Sequence, residues 1–265
     1  MKPGVHDGLT IEAYHASPGI SKTGLARYAD NPARFRWGEH PQTRSMAFGS
    51  LIHTAVLEPD QLDHRYQASQ LRAFNENHRA YQAEQAQALG RELVKQADLD
   101  DARRIADAVH AHPVASALLT PHLIVERSFA WNDPATSTLC RGRADAIEPN
   151  MRVMVDLKST EDAGPDAFAR ACLNYRYHWQ VPMYSDGMLE ADGWMPDAFI
   201  FLAVEKARPH LVGCYELDKR SILLGRRDIA HWLPRYARSL ASEEWRGHAQ
   251  HIQTISLPHF AFPRT

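Results

Sequence analysis

Two hydrophobic periods run along this chain, one matching a strand and one matching a helix, and they divide it into extended and helical segments. The clearest alternation lies in residues 141–160, RGRADAIEPNMRVMVDLKST. Apolar and β-branched residues flank Pro149-Asn150 there, so the stretch reads as a hairpin turning at that dipeptide. On its second strand Asp156 and Lys158 share one face, while Val155 and Leu157 take the other. Pairing placed symmetrically about Pro149-Asn150 sets Asp145 opposite Met154 and diagonal to Asp156, roughly 7 to 8 Å from it and on the same face. Leu123 to Trp131 alternates as a further strand with Glu126 as its acid. Phe199 to Glu205 and Val212 to Leu217 form another strand pair, with Lys206 and Arg208 at the turn between them.

Helical spacing marks the rest. Ser21 caps a helix from Lys22 to Tyr28 that Asn31-Pro32 ends. Met46 to Leu57 carries an apolar stripe of Phe48, Ile52, Ala55 and Val56, with His53 beside it and Gly49 one turn earlier. Residues 61 to 119 read as a helical layer, with Asp98 as an N-cap and the Gln-rich stretch YQAEQAQALG as an excursion of weak periodicity. Asp166 to Glu190 reads as one long helix on which Gln180 and Tyr184 face the same way. Ser221 to Ala241 is an amphipathic closing helix, and the tail from His248 has little pattern.

Composition narrows the class. At 265 residues, 44% hydrophobic and 23% charged, the chain reads as a single α/β domain spanning 1–265, a mixed central sheet flanked by helices. No run of about 18 apolar residues occurs, so no membrane segment is expected, and a cytoplasmic location follows. Three cysteines at wide spacings argue against a disulfide framework or a zinc ribbon. A net charge of −2 excludes a protein that coats DNA over a broad basic surface. It leaves room for an enzyme with its basic residues confined to one channel. No G-x-x-x-x-G-K-[ST] loop is present, so nucleotide hydrolysis is not expected. Asp145, Asp156 and Lys158 on one face can gather a hard cation such as Mg²⁺.

Asp145, a short turn, then Asp156-Leu157-Lys158 resembles the PD-(D/E)xK nuclease motif. The flanks are most similar to the RecE-like exonucleases, the exonuclease VIII C-terminal domain and its phage relatives. They are GISKTGLARYADNPARFRW, MAFGSLIHTAVLEPD, IADAVHAHPVASALL, VERSFAW, YRYHWQVPMYSDG and FIFLAVEKARP, in the family's order and spanning about residues 19 to 245.

That resemblance implies a restriction-endonuclease-like fold and a metal-dependent exonuclease, digesting linear duplex DNA 5′ to 3′ beside a single-strand annealing protein in recombination. Close relatives form rings, so a homo-oligomer loading at duplex ends is expected. Alternatives are an endonuclease of the same fold and a catalytically inert DNA-binding subunit. The implied metal set is His53, Asp145, Asp156 and the Leu157 carbonyl, holding Mg²⁺ with Mn²⁺ able to substitute. Lys158 would stabilise developing charge, and Gln180 and Tyr184 would contact substrate. Glu126 would lie near the metal, or serve as an ion-pair partner of Arg141 or Arg143. Arg34, Arg36 and Trp37 are a DNA-contacting patch or a plain surface with Trp37 tucked into the core, and Arg143 is a further DNA-contact candidate. Iron-sulfur branches of the superfamily carry a cysteine where this chain has Asn31, so no cluster is expected.

Overall fold

The computed structural model describes residues 1–41, 43–69, 71, 74, 77–258 and 261. The chain opens with β1 (Gly4–His6), α1 (Ile11–Ala16), α2 (Lys22–Asp30), α3 (Pro32–Trp37) and α4 (Arg44–Leu57). Next come α5 (Leu62–Arg65), β2 (Tyr66–Ser69), α6 (Arg79–Gln87), β3 (Glu92–Lys95), α7 (Gln96–Ala111) and α8 (Pro113–Leu118). The second half is β4 (Ile124–Asn132), β5 (Leu139–Glu148), β6 (Val153–Thr160), α9 (Pro165–Asn174), α10 (Tyr177–Asp192), β7 (Ala198–Glu205), β8 (Val212–Tyr215) and α11 (Lys219–Ser242).

Six strands make the main sheet in the order β1-β4-β5-β6-β7-β8, antiparallel except where β6 lies parallel to β7. A parallel pair needs a crossover, and α9 with α10 supplies it, which lays α10 across one sheet face. On that face Phe129, Ala144, Met154 and Phe201 pack with Leu25, Phe168, Trp179, Met188 and Leu233 from α2, α9, α10 and α11. On the other face Val155, Leu157, Leu202 and Val204 pack with Leu51, Ile52, Val56, Ile105 and Val109 of α4 and α7. The mixed α/β architecture agrees with the sequence reading.

Several local expectations change. Pairing of Glu148 with Val153 and Ile147 with Met154 leaves Pro149 to Arg152 as a four-residue turn centred on Asn150-Met151. Arg152 takes a left-handed φ of 53° there, and the register moves by two residues along β6, so that Met154 pairs with Ile147 rather than with Asp145. The long helix expected over 166–190 is two helices, because Arg176 adopts φ 54° between them. Its guanidinium fastens the break to α2 by donating to Ala26 O at 3.0 Å and to Asp30 at 2.7 Å. Asp98 lies inside the first turn of α7 rather than capping it; Lys95 holds the cap position. The Gln-rich stretch is helix α6, and the region expected to be wholly helical also holds the parallel pair of β2 and β3, each four residues long. Strands that short leave little alternation to read. The last residues of the tail lie outside the described ones.

Candidate active site

The site forms where β5 and β6 part. Their ladder ends at Ala146↔Val155, while β6 stays paired with β7 out to Thr160↔Glu205. From Asp156 onward, one edge of β6 therefore faces an open fork. Asp145 enters that fork, and its Oδ2 accepts a hydrogen bond of 2.8 Å from Leu157 N. A residue's N–H and C=O lie along the same strand edge, so the Leu157 carbonyl is turned into the fork as well.

The far edge of β5 is irregular at the same level. Its ladder with β4 steps from Val125↔Ala146 to Arg127↔Ala144 and leaves Glu126 and Asp145 without a rung. Glu126 has a left-handed φ of 55°. Ala146 packs in the α4 layer and Ala144 in the α10 layer, although residues two apart on a regular strand share a face. The strand changes face at Asp145. Asp145 and Glu126 meet His53 of α4 there. His53 Nδ1 lies 3.6 Å from Asp145 Oδ2, and one donor atom from each of His53, Glu126 and Asp145 falls within 4.8 Å of the other two. One turn before His53, Gly49 leaves space where a side chain would stand; the nearest atom to a built Cβ is Ser159 Oγ at 3.7 Å.

Asp156 and Lys158 share the α10 face, as the alternation predicts. The buried Asp156 carboxylate accepts from Gln180 Nε2 and pairs with Lys158 Nζ. Lys158 Nζ also stands 4.8 Å from the centre of the Tyr177 ring, which Lys22 Nζ approaches at 5.1 Å. Tyr184, one turn beyond Gln180, packs edge-on against Phe129 with ring centres 5.5 Å apart.

The charges are unevenly held. Burial, then the neighbouring Asp156 charge, push the Asp145 carboxyl up to about 7, against the pull of His53 and Lys158. Burial opposes the Lys158 charge, but Asp156 and Asp145 outweigh it and hold the ammonium above the ordinary lysine range. Lys22 goes the other way, lowered to about 7 by burial and by Lys158. Burial raises the Tyr184 hydroxyl well above its usual range.

The converging donors are His53, Glu126 and Asp145, with Asp156 beside them in the grip of Gln180 and Lys158. The expectation of one shared face holds for Asp156 and Lys158, whereas Asp145 stands at the change of face and reaches toward α4. One imidazole and two carboxylates are a donor set that suits Mg²⁺, Mn²⁺ or a similar divalent cation.

Glu126 fits both of its readings, since Arg143 Nε donates to its Oε2 at 2.5 Å. Arg143 is thereby occupied and partly buried. Arg34 and Arg36 are exposed on α3, and Trp37 is 67% exposed, which overturns the buried reading of that ring. They lie past the far end of α2, whose nine residues span about 13 Å, while Lys22 on its first turn faces the fork. Lys22 and Tyr177 escaped sequence reading. A lysine after an N-cap serine looks like ordinary surface, and the contact to Tyr175 O that buries it, 3.0 Å, comes from 153 residues away.

A family model described as a PDDEXK-like domain of unknown function (DUF3799) matches residues 27–258. Among solved structures, a candidate exonuclease from Eubacterium rectale superposes with a TM-score of 0.64 at 12% identity, covering 97% of this chain and 98% of that one. A phage-related exonuclease from Haemophilus somnus 129PT matches with a TM-score of 0.37 at 11% identity, over 87% and 98% of the two chains. No curated protein matches the sequence.

Proposed function

Because the chain belongs to the PDDEXK-like family of unknown function DUF3799, we propose that the fork between β5 and β6 is the active site of a metal-dependent exonuclease acting on linear duplex DNA. The observation that carries this reading is the meeting, in one strand fork, of the His53, Glu126 and Asp145 donors with the pair formed by buried Asp156 and half-buried Lys158. His53, Glu126 and Asp145 would hold a divalent cation, with Asp156 and the Leu157 carbonyl adjoining. A cation held there would supply polarisation of the phosphoryl oxygen and a lowered pKa for the attacking water.

The chain's own residues do the rest. Lys158 stays charged across the working pH range and neutralises charge building on the phosphoryl oxygens. Gln180 fixes the Asp156 carboxylate, and the Tyr177 ring steadies Lys158 by a cation–π contact. Digestion from the 5′ end, a single-strand annealing partner, a role in recombination and a ring of subunits are read from the RecE-like flanks.

Duplexes labelled at either end, with and without Mg²⁺, test the reading. Release of label only with the cation is expected. Asp156→Asn and Lys158→Ala should each abolish release, and Gln180→Ala should slow it about 10²-fold by loosening a carboxylate it only positions. Near wild-type release by Asp156→Asn would refute the assignment.

A further inference from the structure

The left-handed Glu126 needs an explanation that the donor trio alone does not supply. A glutamate at the third position of a nine-residue strand loses its ladder partner and adopts a backbone conformation that L side chains disfavour. Its carboxylate is caught by Arg143 Nε at 2.5 Å. Arg143 is itself pinned, with Nη1 donating to Leu9 O at 2.8 Å and to Ser128 Oγ at 2.7 Å. The guanidinium also lies 5.8 Å from the ring centre of the buried Tyr14. Anchors from the segment before α1, from α1 and from β4 thus converge on one rigid fork of donors, which passes their placement to a single carboxylate.

We propose that Arg143 is the positioning residue that holds Glu126 in the donor trio with His53 and Asp145. Arg143 engages Oε2 of the carboxylate, and the ion pair offsets the cost of the left-handed residue. This inference rests on the divalent-cation reading above. It makes Arg143 a residue whose loss is felt in cation affinity, although it touches neither cation nor DNA.

The test is calorimetric titration of the full chain with Mn²⁺ at pH 8, with circular dichroism to verify the fold. Arg143→Ala and Glu126→Gln are each expected to weaken Mn²⁺ binding roughly tenfold or more, as loss of a partner that orients a ligand does. The double variant should be no weaker than the worse single one, since both changes disable the same ligand. Arg143→Lys keeps the charge and loses the multidentate fork, so it should fall between wild type and Arg143→Ala. It also stands in for Arg143→Ala if that variant does not fold, and wild-type affinity in it would then count against the proposal. Arg143→Ala binding Mn²⁺ like wild type while Glu126→Gln binds weakly would overturn the positioning role. A wild-type chain that takes up no Mn²⁺ would overturn the cation reading itself.

Discussion

At the scale of single residues, Asp145 is the group whose titration can be followed. Its folded pKa of about 7 lies above its ordinary value of 3.8, so between those values the unfolded chain releases a proton that the folded chain keeps. Stability of the cation-free protein should therefore fall as pH rises from about 4 to about 7 and level off above that. The loss from this group is at most about 4 kcal/mol, because the folded and unfolded values stand roughly three pH units apart. Urea unfolding in a chelator at pH 5 and pH 8 measures it. Asp145→Asn should remove most of the difference, and an unchanged slope would show that another group titrates. Cation affinity should rise over the same interval, because the ligand must shed its proton. Lys22 has the opposite sign: its folded pKa of about 7 lies below its usual 10.5, so it favours folding as pH rises between those values. Asp145, Asp156 and Lys158 were legible because motif and alternation mark them together, and His53 because the helical segment around it resembles the family's. Lys22 was not, because only the fold brings a distant carbonyl and a second ammonium to it.

Among the elements, the close approach of α11 to α10 is what holds the Gln180 helix on the sheet. A Cβ built on Gly225 of α11 would collide with the backbone oxygen of His178, two residues before Gln180. Trp179 Nε1 and His178 Nε2 tie the same place to Asp228 at 3.1 and 3.5 Å. Gly225→Ala should therefore destabilise by about 1 to 3 kcal/mol, because neither backbone can yield locally. Thermal unfolding measures this, and a melting temperature within a degree of wild type would mean that the helices slide apart freely. Strands β4 to β7 were readable from alternation because each is long and apolar on its buried faces. The break before α10 was not, since a single arginine in a left-handed conformation leaves helical spacing on both sides intact. The change of face at Asp145 escaped for a related reason: strict alternation assumes that every residue of a strand stays in the ladder.

For the whole molecule, net charge bears on how the proposed DNA substrate would be held. The chain carries 30 lysines and arginines against 32 aspartates and glutamates, for a net charge of −2. Many of the cations are already matched, among them Arg65 with Glu58, Arg127 with Asp7 and Arg226 with Asp186. A surface so balanced gains little from counterion release, so diffuse attraction would hold a duplex only weakly at physiological salt. Sustained digestion of the proposed substrate would then need the duplex to be threaded through an enclosed path, which subunits arranged in a ring would provide. On this reading the enzyme loads only at a free end. With Mg²⁺ present, linear duplex should be shortened progressively from its termini. A covalently closed circle of the same sequence should survive, and one nick-free linearising cut should make it a substrate. Sedimentation of the purified chain should give a mass that is a small multiple of 30.0 kDa. Cutting of the closed circle as fast as the linear form would replace end-loading by internal cleavage and leave the fork's chemistry as it stands.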